Sequence, residues 1–310
     1  MKHAFIVLLA GFALFFSSSC SLDSIGMLPP ATPTLSATPS PDVSIPTSNI
    51  TIPTATTGGI FPDVSSGLYA VIQVAPGDTV KVYARPGTSN VVIGTLDPND
   101  AYLTRTGPSF TDGMSQWVEI KAPVGATNPY SITGWVDATF LTEQVGQDVF
   151  CADSRVKTLI TNFGNTIRAS DGGALSPLIS PVHGMTIRLG YKGNAVVFDR
   201  AQSKGIFTST DAFDWGMALG NGLDTTKSFQ SAVLPKWLDI LNANHILTCD
   251  RVDTGGASYD PAWPPIYTHI NFYSIYKPGP SGNGNSWRSL LIGVEYFQNQ
   301  PYIFSVIQLE

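Results

Sequence analysis

Between residues 67 and 143, short β-rich apolar runs alternate with turn residues at regular spacing. Leu68-Tyr69-Ala70-Val71-Ile72-Gln73-Val74 leads into a Pro76-Gly77-Asp78 turn, and Thr79-Val80-Lys81-Val82-Tyr83 follows. Further runs lie at 91–96, 116–120 and 134–137, and Phe140-Leu141 closes the series. This spacing predicts a compact all-β barrel or sandwich. The pattern changes after residue 148. Val156, Leu159, Ile160, Phe163 and Ile167 share one helical face, which predicts a helix from near Asp153 to a stop at Asp171-Gly172-Gly173. A hairpin is predicted from 186–191 and 195–198 around Lys192-Gly193-Asn194. Phe229, Val233, Trp237, Leu238 and Leu241 form a second helical face, in which Pro235 must kink the helix or start a new one. The tail is β: 266–276, 290–297, a Gln298-Asn299-Gln300 turn, and 302–309. The whole reads as a multidomain chain, an all-β unit followed by an α+β domain with helices on one face of an antiparallel sheet.

The N-terminal residues carry no such pattern. Lys2 and His3 precede an apolar run at 4–16 and then Ser17-Ser18-Ser19-Cys20, the layout of an export signal. The run is shorter than the roughly 20 residues of a membrane span. Cys20 stands where a bacterial lipoprotein signal, which it resembles, places its lipid-accepting cysteine, although Ser17 replaces the usual Leu. Residues 1–20 are therefore expected to be a lipoprotein signal ending in its lipidated cysteine. Without that lipid the protein would be secreted. Eight prolines follow, at 29, 30, 33, 39, 41, 46, 53 and 62, among many Ser and Thr, and no Lys or Arg occurs between Lys2 and Lys81. Such a composition cannot bury enough apolar surface to fold, and 21–64 reads as an extended tether.

Charge narrows the partners. With 17 Lys+Arg against 23 Asp+Glu, the net charge is −6, and charged residues make up only 13 % of the chain. A nucleic-acid partner is excluded, because phosphate binding needs clustered cations. The composition of 29 Gly and 23 Pro favours turns and linkers over long helices.

Within the all-β unit, Arg85-Pro86-Gly87, Ile93-Gly94-Thr95-Leu96, Trp117-Val118 and Gly134-Trp135-Val136 before Phe140-Leu141 occur in one order. In this the segment resembles the bacterial SH3 (SH3b) family, over about a quarter of the chain. The resemblance implies an SH3-like barrel at 65–145 that binds cell-wall peptide, glycan or a protein partner and performs no catalysis. Arg85 abuts Pro86, where the family has extra residues, so the family's ligand groove is altered here. Trp117 and Trp135 read as packing residues rather than ligand platforms. The α+β module at 148–310 resembles an unnamed module of extracytoplasmic lipoproteins.

Three constellations offer chemistry. Export to an oxidising compartment, with Cys20 lipidated, leaves Cys151 and Cys249 as an even pair, which predicts a disulfide. The rival reading makes Cys151, at a helix start, the nucleophile of a papain-like cell-wall peptidase. Against it, Ala152-Asp153 follows the cysteine where such enzymes have Ser-Gly, and His183 sits in a Pro-Val-His-Gly turn. Asp211, Asp214, Asp250, Asp253 and Asp260 read as turn and cap residues rather than a glycosidase pair. The aromatic tail supplies the ligand-binding candidates: Trp263, Tyr267, His269, Tyr273, Trp287, Arg288 and Glu295. Tyr267, His269, Asn271 and Tyr273 alternate, as they would on one strand face. Glu295 stands in an apolar strand and requires a partner, for which Arg288 and His269 are the choices. No motif calls for a cofactor or a metal. The reading favours an envelope-bound binding protein over an enzyme, with the cysteine peptidase and a purely structural envelope protein as alternatives. Its expected partners are cell-wall peptide or glycan, or an envelope protein, and a membrane through the lipid.

Overall fold

The computed structural model describes residues 67–113, 115–124, 130–216, 226–255, 261–280 and 286–310, all within one compact unit. Cys20, the tether and Asp260 lie outside the described residues. Among the described residues no helix is long and apolar enough to cross a membrane.

The first sheet is built from β1 (Leu68–Val71), β2 (Val80–Tyr83), β3 (Val92–Leu96), β4 (Leu103–Asp112), β5 (Ser115–Ala122), β6 (Ile132–Asp137) and β7 (Leu141–Glu143). Its order is β3-β2-β6-β5-β4-β1-β7, with every neighbour antiparallel. The edges β3 and β7 do not pair, so the strands do not close into the barrel expected from the sequence. Two register shifts, after Val82 in β2 and between Arg105 and Ser109 in β4, bend the sheet. The bent sheet encloses a core of Val71, Val80, Val82, Leu96, Leu103, Val118, Ile120, Val136 and Leu141. Val80-Lys81-Val82 shows the rule: both valines are buried, and the lysine between them points to water.

The chain continues through α1 (Gln147–Ala152), α2 (Ser154–Ala169) and α3 (Gly172–Leu175) into β8 (Met185–Leu189) and β9 (Val196–Phe198). Then come α4 (Arg200–Lys204), β10 (Ala212–Asp214), β11 (Thr226–Ser228), α5 (Phe229–Ala232), α6 (Leu234–Leu241), β12 (Ile246–Cys249), β13 (Asn271–Lys277), β14 (Arg288–Phe297) and β15 (Gln300–Leu309). The second sheet has the order β12-β13-β14-β15-β8-β9 and is antiparallel except where β15 meets β8.

All five predicted face residues of α2 are buried. Asp153 caps its N-terminus by accepting from the Arg155 amide. The helix stops two residues before the predicted glycines, at Ser170, which takes the left-handed conformation at φ 51°. Asp171-Gly172-Gly173 does not end a helix but begins α3, because the Asp171 carboxylate accepts from the Ala174 amide. Pro235 resolves as a helix start: α5 ends, and Pro235 sits in the first turn of α6, where its missing N–H leaves nothing unpaired.

The second sheet is covered on both sides. Against one face α2, α5 and α6 pack onto Ile275, Leu290, Ile292, Ile303 and Val306. Against the other lie Tyr267, Ile270, Trp287 and Ile72, the residue just after β1. This explains why 289–296 is apolar almost throughout, since a strand buried on both faces loses its alternation. Hydrogen bonds also join the two sheets: the Gln73 amide donates to the Ile266 carbonyl at 3.0 Å, and Asn271 Nδ2 donates to the Val145 carbonyl at 2.8 Å.

Candidate functional site

The open face of the first sheet is its most aromatic surface. The ladder sets Val92, Tyr83, Trp135 and Glu119 in one cross-strand row and Phe110, Trp117 and Asp137 in the next, all on the side away from the valine core. Tyr83 follows inward-facing Val82 and so points to this side by plain alternation. Trp117 is 2 % exposed and meets Tyr83 edge to face at 5.5 Å. Its indole Nε1 has no hydrogen-bond partner among the described residues. Phe110 is 49 % exposed and stands edge to face with half-buried Trp135 at 6.4 Å. Packing therefore accounts for Trp117, as expected, whereas Trp135 remains partly open beside Phe110. Thr106 Oγ1 donates to Glu119 Oε2 at 2.7 Å at the margin of the same row. Phe110 was not singled out from sequence. Its only signal is the contrast of one apolar residue between Ser109 and Thr111.

The candidates of the aromatic tail do not form one surface. Pro264 and Pro265 replace the start of the predicted strand with a 3-10 turn, because proline fixes φ and lacks a ladder donor. Tyr267 and His269 thus leave the strand, and β13 begins only at Asn271. Trp263 stacks on Phe272 at 4.4 Å and donates from Nε1 to the Tyr267 carbonyl. Tyr267 is 3 % exposed and sits edge-on to Phe304 at 5.1 Å, and Trp287 is 2 % exposed. Tyr267 and Trp287 are core, and half-buried Trp263 packs against it. Tyr273 is buried between sheet and helices, packs on Phe150, and donates its hydroxyl to the Cys151 carbonyl. His269 Nε2 donates to the Asn99 carbonyl at 2.7 Å and so ties the two sheets together. Arg288 lies near Asp239 (3.5 Å) and Glu310 (3.8 Å), in a surface ion network with Lys277 and Lys236.

Glu295 is paired, but with neither expected partner. His183 Nδ1 lies 2.7 Å from Glu295 Oε2, both side chains are 2 % exposed, and His183 Nε2 lies 3.1 Å from the Thr139 carbonyl. Carboxylate and carbonyl oxygens only accept, so both contacts are made at once when both ring nitrogens carry protons. Burial pulls the His183 pKa down, but the Glu295 carboxylate outweighs it and the net shift is upward. Ser180 shapes the turn that places the ring: its hydroxyl accepts from the Val182 and His183 amides. Gly184 follows at φ +70°, where an added Cβ would come within 2.6 Å of the Phe198 carbonyl oxygen. Beside the pair lies a cavity of about 40 Å³ lined by Tyr69, Arg105, Thr142, Glu143 and both partners. Thr142 Oγ1 and Glu295 Oε1 have no partner among the described residues. The space suits a few ordered waters and is too small for a ligand. Sequence reasoning missed this pair because 112 residues separate its members.

Cys151 and Cys249 form a disulfide, with Cα atoms 5.8 Å apart across 98 residues. The expected pairing is present, and in this bridged form Cys151 carries no free thiol. Among the described residues, only these two sulfurs and Asp250 cluster closely enough to hold a metal ion, and the bridge removes both thiolates from that role. The other described acidic candidates serve local structure. Asp211 accepts from Ser209, Asp214 accepts from the Gly216 amide, and Asp253 pairs with Thr248 and Arg251.

No family profile, no curated protein and no solved structure matches the chain. The disulfide suggests an oxidising, extracytoplasmic environment.

Proposed function

We propose that this is an envelope lipoprotein, anchored through Cys20 and held off the membrane by the 21–64 tether, that binds cell-wall glycan on the open face of an SH3b-like first sheet. The observation that carries the reading is the partly exposed Phe110–Trp135 pair above buried Trp117. Aromatic rings give rigid, weakly hydrated faces for the C–H surface of a sugar, and the Glu119 and Asp137 carboxylates in the same two rows are acceptors for its hydroxyls. The second sheet supports the first through the His183–Thr139, His269–Asn99 and Asn271–Val145 bonds.

The test is a fluorescence titration of the exported protein with soluble cell-wall glycan fragments. Saturable change in tryptophan emission, abolished in Trp135→Phe, is the expected result. An unchanged spectrum at every concentration, or equal response to stem peptides without sugar, would overturn the glycan reading.

A further inference from the structure

The bridge between α1 and the edge strand β12 has an acid beside it. Both cysteines are half-buried at the edge of the core, and neither is sealed within it. An Asp250 carboxylate oxygen and both sulfurs all lie within 4.8 Å of one another. Asp250 is held there by its backbone. It adopts φ 45°, donates its own amide to the Phe272 carbonyl at 2.9 Å, and accepts the Phe272 amide on Oδ1 at 2.7 Å. A left-handed backbone at a non-glycine residue costs energy and persists only where the surroundings enforce it. Oδ2 is left buried with no partner among the described residues. One oxygen is therefore anchored and the other unpartnered, on a carboxyl group that reaches within 4.8 Å of both sulfurs.

We infer that Cys151, Cys249 and Asp250 form a thiol–disulfide exchange site whose substrate is an external dithiol. A thiolate of the dithiol attacks one sulfur; a new S–S bond forms, and the Cys151–Cys249 bond breaks. The sulfur that leaves takes the Asp250 proton, which generates the carboxylate. That carboxylate accepts the proton of the dithiol's second thiol, which then displaces the other cysteine and closes a dithiol-derived disulfide. Asp250 returns the proton to this second leaving sulfur. Two electrons pass from the dithiol to the bridge, which ends as two thiols.

Burial raises the Asp250 carboxyl to about 6, so it still holds its proton at mildly acidic pH. The other titratable groups around it are Tyr273 on β13, Asp153 (ion-paired with Arg155 and bonded to Tyr296), and Arg251 with Asp253, which pair together. General acid catalysis is strongest when the acid's pKa lies near the working pH.

The experiment follows reduction of the bridge in the full chain by dithiothreitol between pH 5 and 8, with the rate constant corrected for the thiolate fraction of the reagent. Free cysteines are counted by alkylation and peptide mapping. The wild type is expected to lose at least tenfold in the corrected constant as pH rises through about 6. Asp250→Asn, which keeps an oxygen for the Phe272 amide, is expected to be flat and at least tenfold slower at pH 5. Tyr273→Phe is expected to keep the wild-type profile. A flat wild-type profile would overturn the proposal without reference to any variant, and so would an Asp250→Asn profile that follows the wild type.

Discussion

Removing His183 tests how the second sheet is joined to the first. In His183→Leu the Glu295 carboxylate stays 2 % exposed, with Oε1 already unpartnered and Oε2 newly so. Breaking a buried pair from one side costs about 3–5 kcal/mol, because the remaining charge is neither solvated nor paired. The double variant His183→Leu/Glu295→Leu removes that charge and is expected to regain most of the loss, giving a coupling of about 2 kcal/mol or more. The pH dependence has a definite sign. The folded-state pKa of His183 is raised, so its contribution is complete below the unfolded value of about 6.5 and is lost as pH rises through the higher native value. Urea denaturation followed by tryptophan fluorescence between pH 6 and 9 reads both effects. Wild-type stability should decline across that window relative to the double variant. A His183→Leu cost below about 1 kcal/mol at pH 7, or losses that simply add in the double variant, would refute the reasoning.

Other perturbations separate packing from surface. Gly293→Ala is expected to cost about 1–3 kcal/mol by thermal unfolding, since an added Cβ would come within 2.8 Å of the Trp263 ring and closer still to Ser305 Oγ. Replacing Cys151 and Cys249 together by Ser should cost roughly 4–5 kcal/mol in the chain-entropy account, measured by urea titration, because the bridge spans 98 residues. Trp117→Ala should cost about 3–5 kcal/mol as a large buried side chain, whereas exposed Phe110→Ala should change the unfolding free energy from urea titration by less than about 0.5 kcal/mol.

Much of this architecture was readable from local patterns. The α2 face, the 186–198 hairpin and the role of Pro235 follow from spacing and from proline's missing donor, which act over a few residues. The disulfide followed from counting cysteines in a chain read as exported. The candidate ligand residues were harder to read because the same residue types serve cores. Trp263, Tyr267 and Trp287 look like a binding surface in a chain segment, yet they fill the space over Phe272, Phe304 and Gly255. Two adjacent prolines converted the expected strand start at 266 into a turn, and this moved Tyr267 and His269 off the ladder. Partners distant in sequence left no local trace. Glu295 announced that it needed a counter-charge, but His183 reaches it only through the parallel β15–β8 pairing and the Ser180 turn. Phe110 was invisible for a related reason: its neighbour Trp135 comes from a strand two places away in the sheet.

The most direct measurement of the central claim is co-sedimentation of the exported protein with purified, insoluble cell wall, comparing wild type with Phe110→Ala/Trp135→Ala. Both residues lie on the open face, 49 % exposed and half-buried respectively, so circular dichroism should show the fold retained. The account predicts saturable retention of the wild type and at least tenfold weaker retention of the double variant. Equal retention of the two proteins, or none of either, would contradict it.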